Sequence, residues 1–449
     1  MNYIKFTIVV GILLFVNGCT FFPYWYSHTN IEKKETAIET KASFHVIHDR
    51  GSHENTLVIL VLSGGGSRAA YWSASIMLAL EKVFENQNLD ILKEVDIISS
   101  VSGGSLPAAY YVISKDPEVP TGKVRSERIW RADIVKELMT RNYKGKWFGN
   151  WFWPNNILKY WFTAFDRSDI MAQTFADNLY DVAAIGTAFG KDLKFKDINP
   201  ERPYIVLNST NGTRDAFAEV FPFTEDRFDT INSDIGEYEI SRAVMATAAF
   251  PAAFNYMTLK DYNASGKKDF RFVHIFDGGN ADNLGLKSAI EILETNKDQY
   301  NKFVLILIDA YTKNTGVDGG LPDARKALSF AVDLNFLDSL DTLLANNHDN
   351  LIDKTIEMLE GLGRQPVQNG KKREYLFYHV RFEDILDLET RQNLNRIKTD
   401  FKIMESDIHE IDTAVKTLMV EENDCLGAIK DILMEEKTEH QISYCIWQN

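Results

Sequence analysis

The sequence predicts an α/β fold built on a mainly parallel sheet, and three observations carry that expectation. Thr56–Leu62 is an unbroken run of β-formers without polar alternation, the pattern of a strand buried on both faces. A glycine break and a segment with helical spacing follow it. The same strand–turn–helix order then returns around Val95–Ser114.

Taken in order, Ser63-Gly64-Gly65-Gly66-Ser67-Arg68 ends the first strand. Ala69–Phe84 puts Ile76, Leu80 and Val83 on one face, which predicts a helix. Val95–Ser99 reads as the second strand. Ser100-Val101-Ser102-Gly103-Gly104 reads as a tight turn, and Leu106–Ser114 as the helix that leaves it. Further strands are predicted at Tyr204–Asn208, Phe270–Phe276, Phe303–Asp309 and Leu376–Arg381, and helices at 238–248, 324–346 and 400–420. No internal repeat or low-complexity tract interrupts them. Trp130, Trp147, Trp151, Trp153 and Trp161 crowd into residues 130–165 with Phe148, Phe152, Tyr160, Phe162 and Phe165. That density has two readings: an ordinary aromatic core, or a surface that meets lipid headgroups or covers an apolar pocket.

Composition narrows the class. The chain has 449 residues, 49 basic and 64 acidic, for a net charge of −15, with 45% hydrophobic and 25% charged residues. This is a globular balance, with room for a large core. An acidic chain without a Lys/Arg block does not neutralise phosphates, so no nucleic-acid partner is expected. Cys19, Cys425 and Cys445 form no CxxC pair, so no structural zinc site is expected.

The N-terminus reads as an address. Lys5 precedes an apolar stretch, Phe6–Val16, of signal-peptide length, and Val16-Asn17-Gly18-Cys19 is similar to the bacterial lipobox. Residues 1–18 are then a signal peptide and Cys19 the lipidated first residue of a membrane-anchored envelope lipoprotein. Thr20 in place of Asp points to the outer membrane. An uncleaved anchor helix is the alternative. Residues 19–50 form a polar tether. The remaining cysteines, Cys425 and Cys445, are expected to be paired or close, since an exported chain meets an oxidising compartment.

Three short motifs carry chemistry. Ser102 sits on the strand-to-helix turn, where a nucleophile elbow needs small neighbours; the usual G-x-S-x-G has serine, Ser100, in its first glycine position. Gly64-Gly65-Gly66 leaves backbone N–H groups bare at a helix start, suited to an oxyanion. It lacks the spacing of either phosphate-binding glycine motif. Arg68 is placed to brace this loop or to meet a lipid phosphate. Asp277-Gly278-Gly279 sets a carboxylate at a strand end.

Together these resemble the patatin-like phospholipase family: Gly64-Gly65-Gly66-x-Arg68, Ser102 in S-V-S-G-G, Asp277-Gly278-Gly279 and the following Asn283, with Ala246–Phe254 similar to the family's A-x-A-x-P-x-x-F block. The resemblance covers roughly residues 55–310. It implies a three-layer sandwich over 51–312, with an aromatic-rich insertion at 120–170, and leaves 313–449 as a mainly helical C-terminal extension. It also implies lipid acyl hydrolysis by a Ser102–Asp277 dyad. Ser102 would be the nucleophile and Asp277 its base. Gly64, Gly65, Gly66 and Gly103 would supply the oxyanion hole, and Arg68, Gly278, Gly279 and Asn283 would support the site. No cofactor and no metal are implied. The expected partners are a phospholipid or lysophospholipid substrate and the membrane that Cys19 reaches. Two alternatives stay open: a Ser–Asp–His esterase drawing on Asp309 with His348 or His379, and a lipoprotein that binds lipid without turnover.

Overall fold

A computed structural model of the chain describes residues 30–34, 55–85, 89–181, 192–213, 218–251, 253–263, 271–312, 335–364, 373–434 and 444–447, with side chains described from His348 onward in the helix that starts at 335. The expected signal peptide, Cys19, most of the tether, Phe270 and the start of the helix expected at 324–346 lie outside the described residues.

Two short strands, β1 (Ile31–Glu32) and β6 (Ser233–Asp234), pair antiparallel. The other nine form one sheet: β2 (Thr56–Leu62), β3 (Ile97–Val101), β4 (Tyr204–Asn211), β5 (Val220–Phe223), β7 (Met257–Asp261), β8 (Arg271–Phe276), β9 (Lys302–Ile308), β10 (Glu374–Val380) and β11 (Tyr444–Cys445). Their order is β11-β10-β9-β2-β3-β4-β8-β7, with β5 also paired to β4. The stretch from β11 through β4 is parallel. At β4 the sheet changes sense, because β5 and β8 both run antiparallel to it.

The unbroken apolar run of β2 reflects burial from both sides. Val58, Leu60 and Leu62 enter a core with the helices Gly66–Leu80 and Ser105–Ile113. Leu57, Ile59 and Val61 enter a second core with the helices Leu286–Asn296 and Asn335–Arg364. Strand β9 divides its residues the same way, Val304 and Ile306 against Phe303 and Leu305. This is the expected three-layer sandwich, and each fully buried side chain of this size contributes about 1.5–3 kcal/mol.

The structure departs from the sequence reading where patterns are short or interrupted. Strands β5 and β7, which the sequence does not predict, are only four and five residues long, whereas β8 lies where a strand is predicted. The helix expected at 324–346 continues to Arg364: the polar stretch Asn346–Asn350 looks like a terminus, but Leu351, Leu359 and Leu362 beyond it still pack on the second core. The strand before Asp277 is antiparallel and overlaps β4 by only two residue pairs. The C-terminal region is mainly helical and also lends β10 and β11 to the sheet. Cys425 and Cys445 are disulfide-bonded, with Cα atoms 5.7 Å apart, which ties β11 to the helix Asp424–Leu433. Closing a loop of that length stabilises the fold by about 3 kcal/mol in the loop-entropy view.

The aromatic stretch is divided between core and surface. Trp130 is buried and meets Tyr111 edge-on at 4.8 Å, a core residue. Phe148, Phe152, Trp153 and Phe162 are exposed.

Candidate active site

Strands β2 and β3 are parallel neighbours, so the loops leaving their carboxyl ends lie side by side, where sites in such sheets collect. Ser102 leaves β3 with φ +48°, a left-handed conformation that a serine adopts only under constraint. That is the geometry of a strained elbow at a strand-to-helix turn, the kind that presents a side chain outward. The helix Ser105–Ile113 begins three residues later. Gly103 makes the turn possible, because a Cβ there would stand 2.1 Å from the Gly66 carbonyl oxygen. Ser100 fills the usual glycine position without harm: its hydroxyl bonds that of Ser105 across the turn at 3.1 Å. Ser99, a further hydroxyl on the same strand, donates to the Gly285 carbonyl and accepts from Asn208. The hydroxyls nearest Ser102 in sequence are therefore engaged in structure.

Ser102 Oγ donates to Asp277 Oδ2 at 3.1 Å, and both residues are buried. Asp277 reaches the site because its backbone is fixed on two sides. Its N–H donates to the Ala249 carbonyl, the Gly278 N–H to that of Thr247, and Thr210 Oγ1 donates to the Asp277 carbonyl at 2.7 Å. Its Oδ1 accepts the Gly279 N–H at 2.8 Å. Burial pushes the Asp277 carboxyl up to about 7; the Gly279 and Ser102 hydrogen bonds pull the other way but do not offset it.

The glycine loop is equally placed. Gly65, at φ +142°, takes a backbone conformation closed to residues with a side chain. The N–H groups of Gly65 and Gly66 donate to no acceptor among the described residues. Gly64 differs, which corrects the expectation for it: its N–H donates to the Asn283 carbonyl at 2.8 Å and is not free for an oxyanion. Asn283 thus joins the glycine loop to the Asp277 loop. Arg68 is a brace, donating to the carbonyls of Ala310 and Ile397 while almost wholly buried. The alternative placement, on a lipid phosphate, does not hold.

The histidines named for a triad are elsewhere. Asp309 Oδ2 accepts from His348 Nε2 at 2.6 Å and His379 Nε2 at 3.1 Å. The other nitrogen of His379 meets the Tyr444 hydroxyl. A cavity of about 320 Å³ beside this cluster is lined by Asp309, His348, Arg381 and Tyr444 among others, and by neither Ser102 nor Asp277. The side-chain partner of Ser102 is a carboxylate. Sequence reasoning offered Asp309 as a triad acid; the three-dimensional pairing shows a buried structural knot. It also missed Thr210, which no motif marks, whereas the Thr247 carbonyl lies in the Ala246–Phe254 block already singled out.

The sequence pattern of the family described as patatin-like phospholipase matches residues 60–290, more than half of the chain. The chain belongs to the patatin-like phospholipase family. Lipid acyl hydrolysis is the chemistry of this family. No curated protein matches the chain. Among solved structures it is similar to VipD from Legionella pneumophila, at 13% identity and a TM-score of 0.31, covering 85% of this chain and 67% of that one. It is also similar to human GIVD cytosolic phospholipase A2 in complex with methyl gamma-linolenyl fluorophosphonate, at 13% identity and a TM-score of 0.41. That match covers 85% of this chain and 59% of the human one. In this patatin-like chain the fold is established by the strands themselves and by the family match.

The histidine knot predicts a pH dependence of stability. Burial alone would lower the His348 pKa, but the charge of Asp309 and the hydrogen bonds to Asp309 and Asp349 outweigh it and raise the ring to about 9. A group raised on folding contributes stability that is complete below its unfolded value, about 6.5, and is lost as pH rises through about 9. Urea unfolding should therefore show wild-type protein weakening from neutral pH toward pH 9 and above. His348→Gln should lack that component of the decline, and equal pH profiles for the two proteins would rule the assignment out.

Proposed function

We propose that this patatin-like protein hydrolyses fatty-acyl esters of phospholipids or lysophospholipids through Ser102 and Asp277, without a histidine. The observation that carries the reading is the buried Ser102 Oγ–Asp277 Oδ2 hydrogen bond at a strained elbow. Asp277 accepts the hydroxyl proton as Oγ attacks the acyl carbonyl. The N–H groups of Gly65, Gly66 and Gly103 hold the oxyanion that forms. Collapse expels the alcohol, which takes the proton back from Asp277, and leaves the acyl group on Ser102. Asp277 then draws a proton from water, whose oxygen attacks the ester. The fatty acid departs and the proton returns to Ser102. A base poised near neutrality suits both half-reactions, because it takes and returns the same proton.

Ser102→Ala and Asp277→Asn should each reduce ester hydrolysis by at least about ten-thousand-fold, and the double variant should be little worse than either, since the pair acts as one unit. Thermal unfolding should show all three folded. Substantial turnover in Asp277→Asn would refute the dyad even with Ser102 essential.

The pH profile is a separate test. The base works only when deprotonated, so kcat/KM should rise with pH through about 7 and level off above it. A profile flat from pH 5 to pH 9 would exclude Asp277 as the base.

We also propose that Cys19 is lipidated after cleavage behind Gly18 and anchors the protein at the bacterial envelope, which is supported by Lys5, the apolar run Phe6–Val16 and the residues before Cys19. Mass spectrometry of membrane-extracted protein should find an acylated Cys19 at the N-terminus, and Cys19→Ala should be unprocessed. Recovery of wild-type chains that retain Met1 would overturn this.

A further inference from the structure

The stretch between Glu137 and Asp166 is unlike the rest of this acidic chain. It contains no Asp or Glu, and its charges are Arg141, Lys144, Lys146 and Lys159. It folds as two nine-residue helices, Tyr143–Trp151 and Pro154–Phe162, with Pro154 opening the second directly after Phe152-Trp153. Phe148 and Phe152 are 48% and 64% exposed, and four residues apart share one helix face. Leu158 and Phe162, at 58% and 54%, repeat the arrangement, and Trp153 between the helices is 64% exposed. A soluble surface does not gather large apolar side chains in this way without something to meet them.

The base beneath them is rigid. Trp147 packs on Trp151 at 5.1 Å and on Phe254 at 5.4 Å, and its indole N–H donates to the Arg167 carbonyl. Asn156 is buried and donates to the Asn150 carbonyl and Gln173 Oε1. Phe254 belongs to the loop whose Ala249 carbonyl holds the Asp277 N–H, so the helices and the Asp277 carboxylate lean on one short segment. Arg141 and Lys144 are paired with Glu137 and Asp400. Lys146 and Lys159 are exposed on the same two helices; Lys159 is one turn from Phe162 and its ammonium lies over the Phe165 ring, while Lys146 lies further round its helix from Phe148.

We propose that these two helices are the surface on which the protein lies against a phospholipid bilayer. Phe148, Phe152, Trp153, Leu158 and Phe162 enter the headgroup–acyl boundary, Lys159 meets anionic headgroups at its edge, and Lys146 adds positive charge from further round its helix. Tryptophan and phenylalanine with lysine and no acid is the make-up of interfacial helices. The absence of acidic residues matches an anionic surface, which would repel the rest of a chain of net charge −15. Among the described residues no helix is long and apolar enough to cross a membrane, in keeping with a surface that lies on one. The inference deepens the hydrolase reading, because a phospholipid substrate sits in the bilayer.

The test uses the full chain and vesicles of phosphatidylcholine and phosphatidylglycerol in which part of the phosphatidylcholine carries bromine on its acyl chains. In a Ser102→Ala background, bromine should quench tryptophan fluorescence, and Trp153→Phe should remove a measurable part of that quenching. With Ser102 intact, the pair Phe152→Ser and Trp153→Ser should lower hydrolysis of vesicle phospholipid by about tenfold or more, the expected loss of two buried aromatic anchors, with a water-soluble short-chain ester cleaved at the wild-type rate. Lys146→Glu with Lys159→Glu should weaken action only on vesicles containing phosphatidylglycerol. Quenching that is indifferent to Trp153, or variants equal to wild type on vesicles, would overturn the proposal. So would a dimer of the wild type that dissociates in the Phe152/Trp153 variant, since a second copy would then be the occupant. Loss of all esterase activity with quenching intact would sink the hydrolase reading and leave the membrane contact standing.

Discussion

The site depends on one close approach of backbone to backbone. Gly103 lies so near Gly66 that no side chain fits between the elbow and the glycine loop. Because β2 and β3 are parallel neighbours, their exits must share a small volume, and glycines let them share it without displacement. Gly66 is pinned from the other side, where a Cβ would come within 2.5 Å of the Asp400 carbonyl oxygen. Any side chain at either position pushes the donors away from the nucleophile. Catalysis by fixed N–H groups tolerates little such movement, since their value lies in being aimed before charge develops.

Two buried aspartates show how surroundings set the charge of a carboxyl. Asp277 and Asp309 are about equally hidden from water, and both follow strands of one sheet. Asp277 faces neutral donors, Ser102 and the Gly279 N–H, so burial dominates and its carboxyl rises to about 7. For Asp309 burial acts in the same direction but is outweighed by the charge and hydrogen bonds of His348 and the hydrogen bond of His379, which hold it well below the usual carboxylate range. A carboxylate fixed in its charged form joins β9, β10 and the long helix at His348. One that titrates near neutrality can exchange a proton with a hydroxyl.

Much of this was legible in the residues. β2 was readable end to end, because burial on both faces removes the polar alternation that blurs edge strands. The elbow, the glycine loop and Asp277 were readable because each needs small residues beside one chemical group, a requirement that survives without coordinates. The carbonyl that takes the Gly64 N–H was not, since backbone partners leave no mark on composition. Nor was the antiparallel sense of β8, which rests on a two-pair overlap with β4. Asp309, His348 and His379 were noticed, but their mutual pairing spans 39 and 70 residues, and no spacing rule reports it.

The region after residue 312 is where local reading ran out, yet it completes the site. The Ile397–Phe401 segment accepts the Arg68 guanidinium at the Ile397 carbonyl and the Ser67 N–H at that of Asp400. It therefore clamps the first turn of the helix that the glycine loop enters. Tyr71, one turn further on, donates to Asp412. The same segment faces the aromatic helices: Phe401 takes the Lys144 N–H at its carbonyl and meets Phe254 edge-on at 5.7 Å, and Asp400 pairs with Lys144. A stretch outside the family match thus touches both the donors beside Ser102 and the base of the exposed aromatic surface. The residues that hold a glycine loop in register need only offer carbonyls and packing, which almost any sequence supplies. The physical demand on this region is on backbone position, so it braces the candidate site without carrying a motif.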